Sequence, residues 1–198
     1  MTVLLATHNA HKRAEMARLL APLSVEIADL PFSEAEETGE TFAQNAFIKA
    51  DAACRETGLP AVSDDSGLMV DALDGRPGVY SARFAATDEE RIAKLLAMLD
   101  GVPTQRRGAR FVAAICCVFP DGKVIRAEGI CAGRITKAPR GEDGFGYDPV
   151  FELPDGSTFA EYSGDEKNAI SHRGKALREF IEKMKKVMEP PRGLGTSG

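Results

Sequence analysis

Pro60-Ala61-Val62-Ser63-Asp64-Asp65-Ser66-Gly67 is the stretch on which the reading of the chain turns. An extended apolar start runs into two adjacent acids, a hydroxyl and a glycine. An unpaired carboxylate is costly to bury. The pattern therefore predicts a short strand that ends on Asp64 and Asp65. Carboxylates at a strand end suit the holding of a divalent cation or the removal of a proton from water.

Working outward, Val3-Leu4-Leu5-Ala6 reads as a buried strand. Asn9 caps a helix with Met16, Leu19, Leu20 and Leu23 at helical spacing. A second strand falls near residues 25–28, followed by an acidic loop through Glu34, Glu36 and Glu37. Thr41 and Gln44 form a capping box. The helix after it carries Ala43, Ala46, Phe47, Ala50, Ala53 and Cys54 on one face and ends near Gly58.

Beyond the two acids come a second extended run from Gly67 to Leu73, a Gly/Pro loop over 74–78 and a helix over 88–99. Residues 110–119 and 123–133 form a hairpin that turns at Asp121-Gly122. Residues 145–151 read as a glycine turn and a short strand. The last helix starts near Ser171 and sets Leu177, Phe180, Ile181, Met184 and Met188 on one stripe. Early alternation of strands and helices followed by a hairpin predicts an α/β fold with a mixed sheet. One domain is expected over 1–189, with a disordered tail over 190–198.

Composition narrows the function. The chain has 198 residues, and a hydrophobic fraction of 43% suffices for a core. A net charge of −5 argues against sequence-independent binding of nucleic acid. Cys54, Cys116, Cys117 and Cys131 form no C-x-x-C pair and read as buried, reduced thiols. No apolar run reaches the length of a membrane span, so no membrane partner is expected and the cytoplasm is the default location.

Cations stand where helix dipoles disfavour them. His11, Lys12 and Arg13 crowd the start of the first helix, and His172 and Arg173 that of the last. Two such clusters beside a diacid point to a phosphate site, and Lys49 on the second helix could add a third cation. The loop Thr7-His8-Asn9-Ala10-His11-Lys12 lacks the glycines of a Walker A loop. His8 and His11 have no third metal ligand nearby.

Five motifs then occur in a particular order: Thr7-x-Asn9-x-x-Lys12, Ser63-Asp64-Asp65-Ser66-Gly67-Leu68, residues 77–83 (PGVYSAR), residues 144–149 (GFGYDP) and Ser171-His172-Arg173-Gly174. Together they resemble the inosine triphosphate pyrophosphatase, or Ham1-like, family from Met1 to about Lys186. The resemblance implies an elongated mixed sheet flanked by helices, with two lobes around a nucleotide-binding cleft. It implies a Mg²⁺-dependent homodimer that converts dITP, ITP and XTP to the monophosphate and pyrophosphate, clearing deaminated purines from the nucleotide pool.

By motif, Asp65 is the general base, and Glu40 and Asp65 hold Mg²⁺. Residues 7–12 (Thr7, His8, Asn9, Ala10, His11, Lys12) with Lys49, Ser66, Lys167 and Arg173 meet the substrate. Phe145 stacks on the purine, and Gly146, Tyr147, Asp148 and His172 shape the base pocket. Asp64 competes with Asp65 or else turns inward to a structural hydrogen bond. A donor-only Arg173 or Lys167 facing purine position 6 would favour a keto oxygen. Two other readings are a Maf-like pyrophosphatase of modified pyrimidine nucleotides and a non-catalytic nucleotide sensor. A Nudix enzyme is excluded because no R-E-x-x-E-E helix is present.

Overall fold

Asp64 and Asp65 lie inside a strand, not at its end. In the computed structural model, which describes residues 1–188 apart from the side chains of His11 and Leu19, β3 (Ala61–Val70) runs through both acids. The two extended runs expected on either side of the diacid are thus one strand, closed by a 3-10 turn at Asp71–Leu73. The strand continues because each carboxylate finds polar partners, so burial does not leave it uncompensated. The tail expected over 190–198 lies outside the described residues.

The sheet has six strands, β1 (Thr2–Leu5), β2 (Glu26–Ala28), β3, β4 (Gly108–Val118), β5 (Val124–Ile135) and β6 (Phe151–Glu152). Their order is β2-β1-β3-β4-β5-β6. β1 is parallel to β2 and β3, and the remaining pairs are antiparallel. This is the mixed sheet expected. The helices are α1 (Ala10–Leu20), α2 (Phe42–Thr57), α3 (Asp88–Met98), α4 (Gly164–Ile170) and α5 (His172–Met188).

The start of α1 follows from Asn9, whose side chain accepts the Lys12 N–H. The Thr41/Gln44 capping box opens α2, and Gly58 closes it in the left-handed conformation. α4 was absent from the sequence reading, although Ser163 and Glu166 form a capping box there. On α5, Leu177, Phe180, Ile181 and Met184 are buried as the stripe requires. Met188, assigned to the same stripe, is exposed at the end of the helix.

Period-two alternation gives β3 two different faces. Val62 packs with Met16, Leu177 and Phe180 in the core shared with α1 and α5. Ala61 packs with Ala46, Ala50 and Cys54 of α2 on the other face. Farther along, Leu68 and Val70 join a third core with Leu95, Phe111, Phe151 and Phe159. The long strands therefore run from one packed lobe to the other, and Asp64–Gly67 lies between them. The four cysteines are free and buried.

β1 is too short to follow β3 along its length. It pairs only at Leu4↔Ala61 and Leu5↔Val62. On that edge the next partner is the segment 77–81, through the Met69↔Pro77 bridge and the bond from the Leu68 N–H to Ser81 Oγ (2.9 Å). Among the described residues, no strand pairs with residues 63–67 on the side away from β4. This gap is the floor of a cleft.

α5 lies against β5 where Gly129 leaves room. A Cβ at this position would meet the His172 carbonyl oxygen at 2.1 Å and the Ala176 nitrogen at 2.5 Å, both backbone atoms that cannot swing aside. Gly129→Ala is expected to cost about 1–3 kcal/mol by overpacking. Thermal melting would read this as a fall of a few degrees, at about 2–4 °C per kcal/mol for a chain of this size.

Candidate active site

Adjacent residues on a strand face opposite ways, and the two acids consequently meet different helices. Asp64 faces α1 and α5. Its Oδ2 lies 3.2 Å from Lys12 Nζ and 3.3 Å from Arg173 Nε. Arg173 also donates from Nη1 to Glu15 (2.7 Å) and from Nη2 to Ser66 Oγ (3.0 Å). Asp64 is fully buried, and its Oδ1 has no hydrogen-bond partner among the described residues. Burial alone would raise the Asp64 carboxyl, but Lys12 and Arg173, with Lys49 in support, hold it far below the usual carboxylate range. It stays ionised.

Asp65 faces α2. Its Oδ2 accepts from Asn45 Nδ2 (3.2 Å), and Oδ1 lies 3.3 Å from Lys49 Nζ. Lys49 also meets Glu37 Oε1 at 2.7 Å, and Glu37 Oε2 meets Arg83 at 3.0 Å. Asn45 and Lys49 are four residues apart, so one face of α2 delivers both. Burial pushes the Asp65 carboxyl up and Glu37 adds to this, against the opposing pull of Lys49. The ammonium of Lys49, disfavoured by burial, is retained by Asp65, Asp64 and Glu37. Of the pair, Asp65 is the acid that borders the cleft.

A continuous cleft connects these groups. Asn9, Lys12, Asp65, Ser66, Phe145, Gly146, Tyr147, Asp148, Lys167, His172 and Arg173 line one cavity. Thr7, His8, Asn9, Lys12 and Lys49 line a neighbouring one, and Asn9, Lys12 and Glu37 border both. Almost every residue selected from the sequence thus converges here. Ala10 and Glu40 line neither cavity. Glu40 is exposed, and its backbone N–H is bonded to the Gln44 side chain. The side chain of His11 lies outside the described residues.

Two expectations change. Arg173 stands at the start of α5, but it is buried, and Asp64 and Glu15 already neutralise it. His172, unlike Arg173, favours the neutral form. It is buried and stacks on Phe111 at 4.7 Å, and burial followed by the nearby Arg173 and Lys167 charges pushes its imidazole well below the usual range. Lys49 is half-buried and links Asp65 to Glu37. The His8 ring stacks on Phe32 (4.4 Å).

At the far end of the cleft, Lys167 on α4 reaches Asp148 at 2.5 Å and stands 4.6 Å above the centre of the Phe145 ring. Burial raises the Asp148 carboxyl, and Lys167 opposes the shift. Phe145 is partly exposed, as a stacking platform would be. Tyr147 is buried and donates its hydroxyl to the Ser81 carbonyl (2.9 Å), so it joins the aromatic loop to the segment 78–83. Sequence reasoning missed Glu37, Asn45 and Glu15. Only Asn45 left a signal, as an amide on the apolar face of α2.

Comparison with known proteins identifies the family and the fold. A family model described as the Ham1 family matches residues 3–183. The dITP/XTP pyrophosphatase of Geobacillus kaustophilus is 50% identical over 194 residues, covering 94% of this chain and 95% of that protein. The dITP/XTP pyrophosphatase of Desulforamulus reducens is 51% identical over 190 residues, covering 92% and 94%. Among solved structures, a HAM1 protein from Coxiella burnetii superposes with a TM-score of 0.86 at 42% identity, over 94% of this chain and 99% of that one. A nucleoside-triphosphatase / dITP/XTP pyrophosphatase from Mycobacterium abscessus gives 0.77 at 45% identity, over 90% and 98%.

Asp64→Asn should destabilise the fold by about 3–5 kcal/mol, because Lys12 and Arg173 lose their shared buried counter-ion. Since the native carboxyl titrates below its unfolded value near 3.9, its contribution is complete above that pH and lost as the pH falls through the lower native value. Denaturant melts between about pH 3 and 7 should therefore show the difference between the two proteins shrinking toward the acid end.

Proposed function

The chain belongs to the Ham1 family, and from that premise we propose that it hydrolyses dITP, ITP and XTP to the nucleoside monophosphate and pyrophosphate. The observation that carries this reading is the contrast between two neighbouring acids. Asp64 is buried against Lys12 and Arg173, while Asp65 borders the cleft, where burial pushes its carboxyl up. The relatives named dITP/XTP pyrophosphatase supply the substrate class.

In the proposed reaction the triphosphate lies along the first loop. There Thr7, Asn9, Lys12 and Ser66 offer donors and Lys49 a further cation. Asp65 accepts the proton of the water that attacks the α-phosphorus, and pyrophosphate leaves in line. Asn45 and Lys49 hold the carboxylate toward the cleft. Lys167, a donor-only group held by Asp148, favours a keto oxygen at purine position 6 over an amino group. A buried polar contact of this kind can discriminate by roughly 10⁴–10⁵.

The donor chemistry suits Mg²⁺. Asp65 and Glu37 turn hard carboxylate oxygens toward one ammonium, and Glu40 is exposed just ahead of the α2 cap. Among the described residues no group of three or more His, Cys, Asp or Glu gathers to hold a metal. Asp65 with Glu40 or Glu37 would supply the protein ligands, leaving the other positions to water and phosphate. When bound, the ion supplies neutralisation of phosphate oxygens and orientation of water. A homodimer working in the cytoplasm completes the proposal. No helix of the described residues is long and apolar enough to cross a membrane.

Asp65→Asn should retain nucleotide binding and lower turnover by roughly 10²–10⁴-fold; near-normal turnover would remove Asp65 as the base. In the unmodified protein kcat/KM should rise with pH as Asp65 loses its proton, in a limb displaced above the ordinary carboxylate value near 3.9. The same limb should be missing from the residual activity of Asp65→Asn. Pyrophosphate release from dITP, XTP, ATP and GTP, with and without Mg²⁺, tests the substrate and metal assignments together. A clear preference for ATP, or full release without the metal, would overturn the corresponding part.

A further inference from the structure

Asp88 lies outside every role assigned above. It is the first residue of α3, and its Oδ2 accepts the Gly146 N–H at 2.7 Å while Oδ1 takes Arg91 Nη1 at 2.5 Å. The preceding amide, of Phe145, donates to Asp148 Oδ2 at 2.9 Å. Two successive amides of the aromatic loop are thus held by two carboxylates, one local and one 58 residues away in the chain. Gly144 and Gly146 have φ of +83° and +64°. A loop built on such glycines has little backbone preference of its own and depends on outside bonds for its shape.

The support behind Asp88 is rigid. Ile92 and Leu95 anchor α3 in the core. The loop also divides two spaces. Asp88, Phe145 and Gly146 border both the substrate cavity and a second cavity of ≈ 550 Å³ on the α3 side.

We propose that Asp88 is a positioning residue for base recognition: its carboxylate latches the Phe145–Gly146 loop to α3 and keeps the ring against the purine instead of letting it relax into the neighbouring cavity. This rests on the reading that Phe145 stacks on the base. Because the latch does not reach the phosphate end, its loss should appear in binding and base selection and spare the chemical step.

Steady-state pyrophosphate release from dITP, XTP and dGTP tests the inference. Asp88→Ala and Asp88→Leu both remove the acceptor, and either can be read if the other does not fold. KM for dITP should rise about tenfold, the scale of one lost charge-assisted hydrogen bond, with kcat within about threefold and a smaller preference for dITP over dGTP. Asp88→Asn keeps an amide oxygen for the Gly146 N–H and should bring KM back to within about threefold of the unmodified protein. Thr87→Ala removes the neighbouring cap, lowers the melting temperature and should leave KM and base preference within about twofold.

Unchanged KM and preference in both Asp88 variants would overturn this inference alone. So would the same shift in Thr87→Ala, which would make the contact merely structural. If the unmodified protein releases no pyrophosphate from dITP, the proposed function falls and this inference falls with it.

Discussion

The fold turns on a charge that has no business inside a strand. Asp64 is fully buried and is tolerated because Lys12 and Arg173 reach it from two helices. An ion pair of this kind adds little over an apolar filling, yet removing one member is severe. Its value here is geometric. It ties the starts of α1 and α5 to the middle of β3, and Glu15 and Ser66 take up the remaining donors of Arg173. The first loop and the helix that carries His172 are thereby fixed against the same point of the sheet.

Asp65 follows from that arrangement by the pleat of the strand. Once Asp64 is locked toward one layer, its neighbour must face the other. There α2 offers one amide and one ammonium in place of two buried cations. Environments that push two adjacent carboxyls in opposite directions are the usual physical route to dividing acid and base roles. The division arises from which helix each acid meets, since the side chains themselves are identical.

Much of this was legible in the residues. Caps at Asn9 and Thr41 located the first two long helices because a side-chain oxygen there meets orphan N–H groups. The Asp121-Gly122 signal located the hairpin, and Gly122 does take a positive φ. The strand through the diacid was misread, since a rule that shuns buried carboxylates knows nothing of partners 52 or 109 positions away. His172 was misread as a cation for the same reason: the charge of an imidazole depends on what packs against it. Glu37 was hidden among several acids of one loop, and only the fold brings it to Lys49. The ordered motifs marked the cleft lining well, because the residues that line it fall in a few short segments even though their folding partners are scattered along the chain.

The short β1 has a consequence for solubility as well as for binding. By ending at Leu5 it leaves residues 63–67 with a strand edge that could, in principle, recruit a strand from another molecule. Ionised side chains pointing inward beside such an edge, with the 77–81 segment bonded across its far end, make an incoming strand give up hydration without gaining a matched ladder. The groups that hold the cleft ready for a nucleotide thus also keep it closed to other polypeptides.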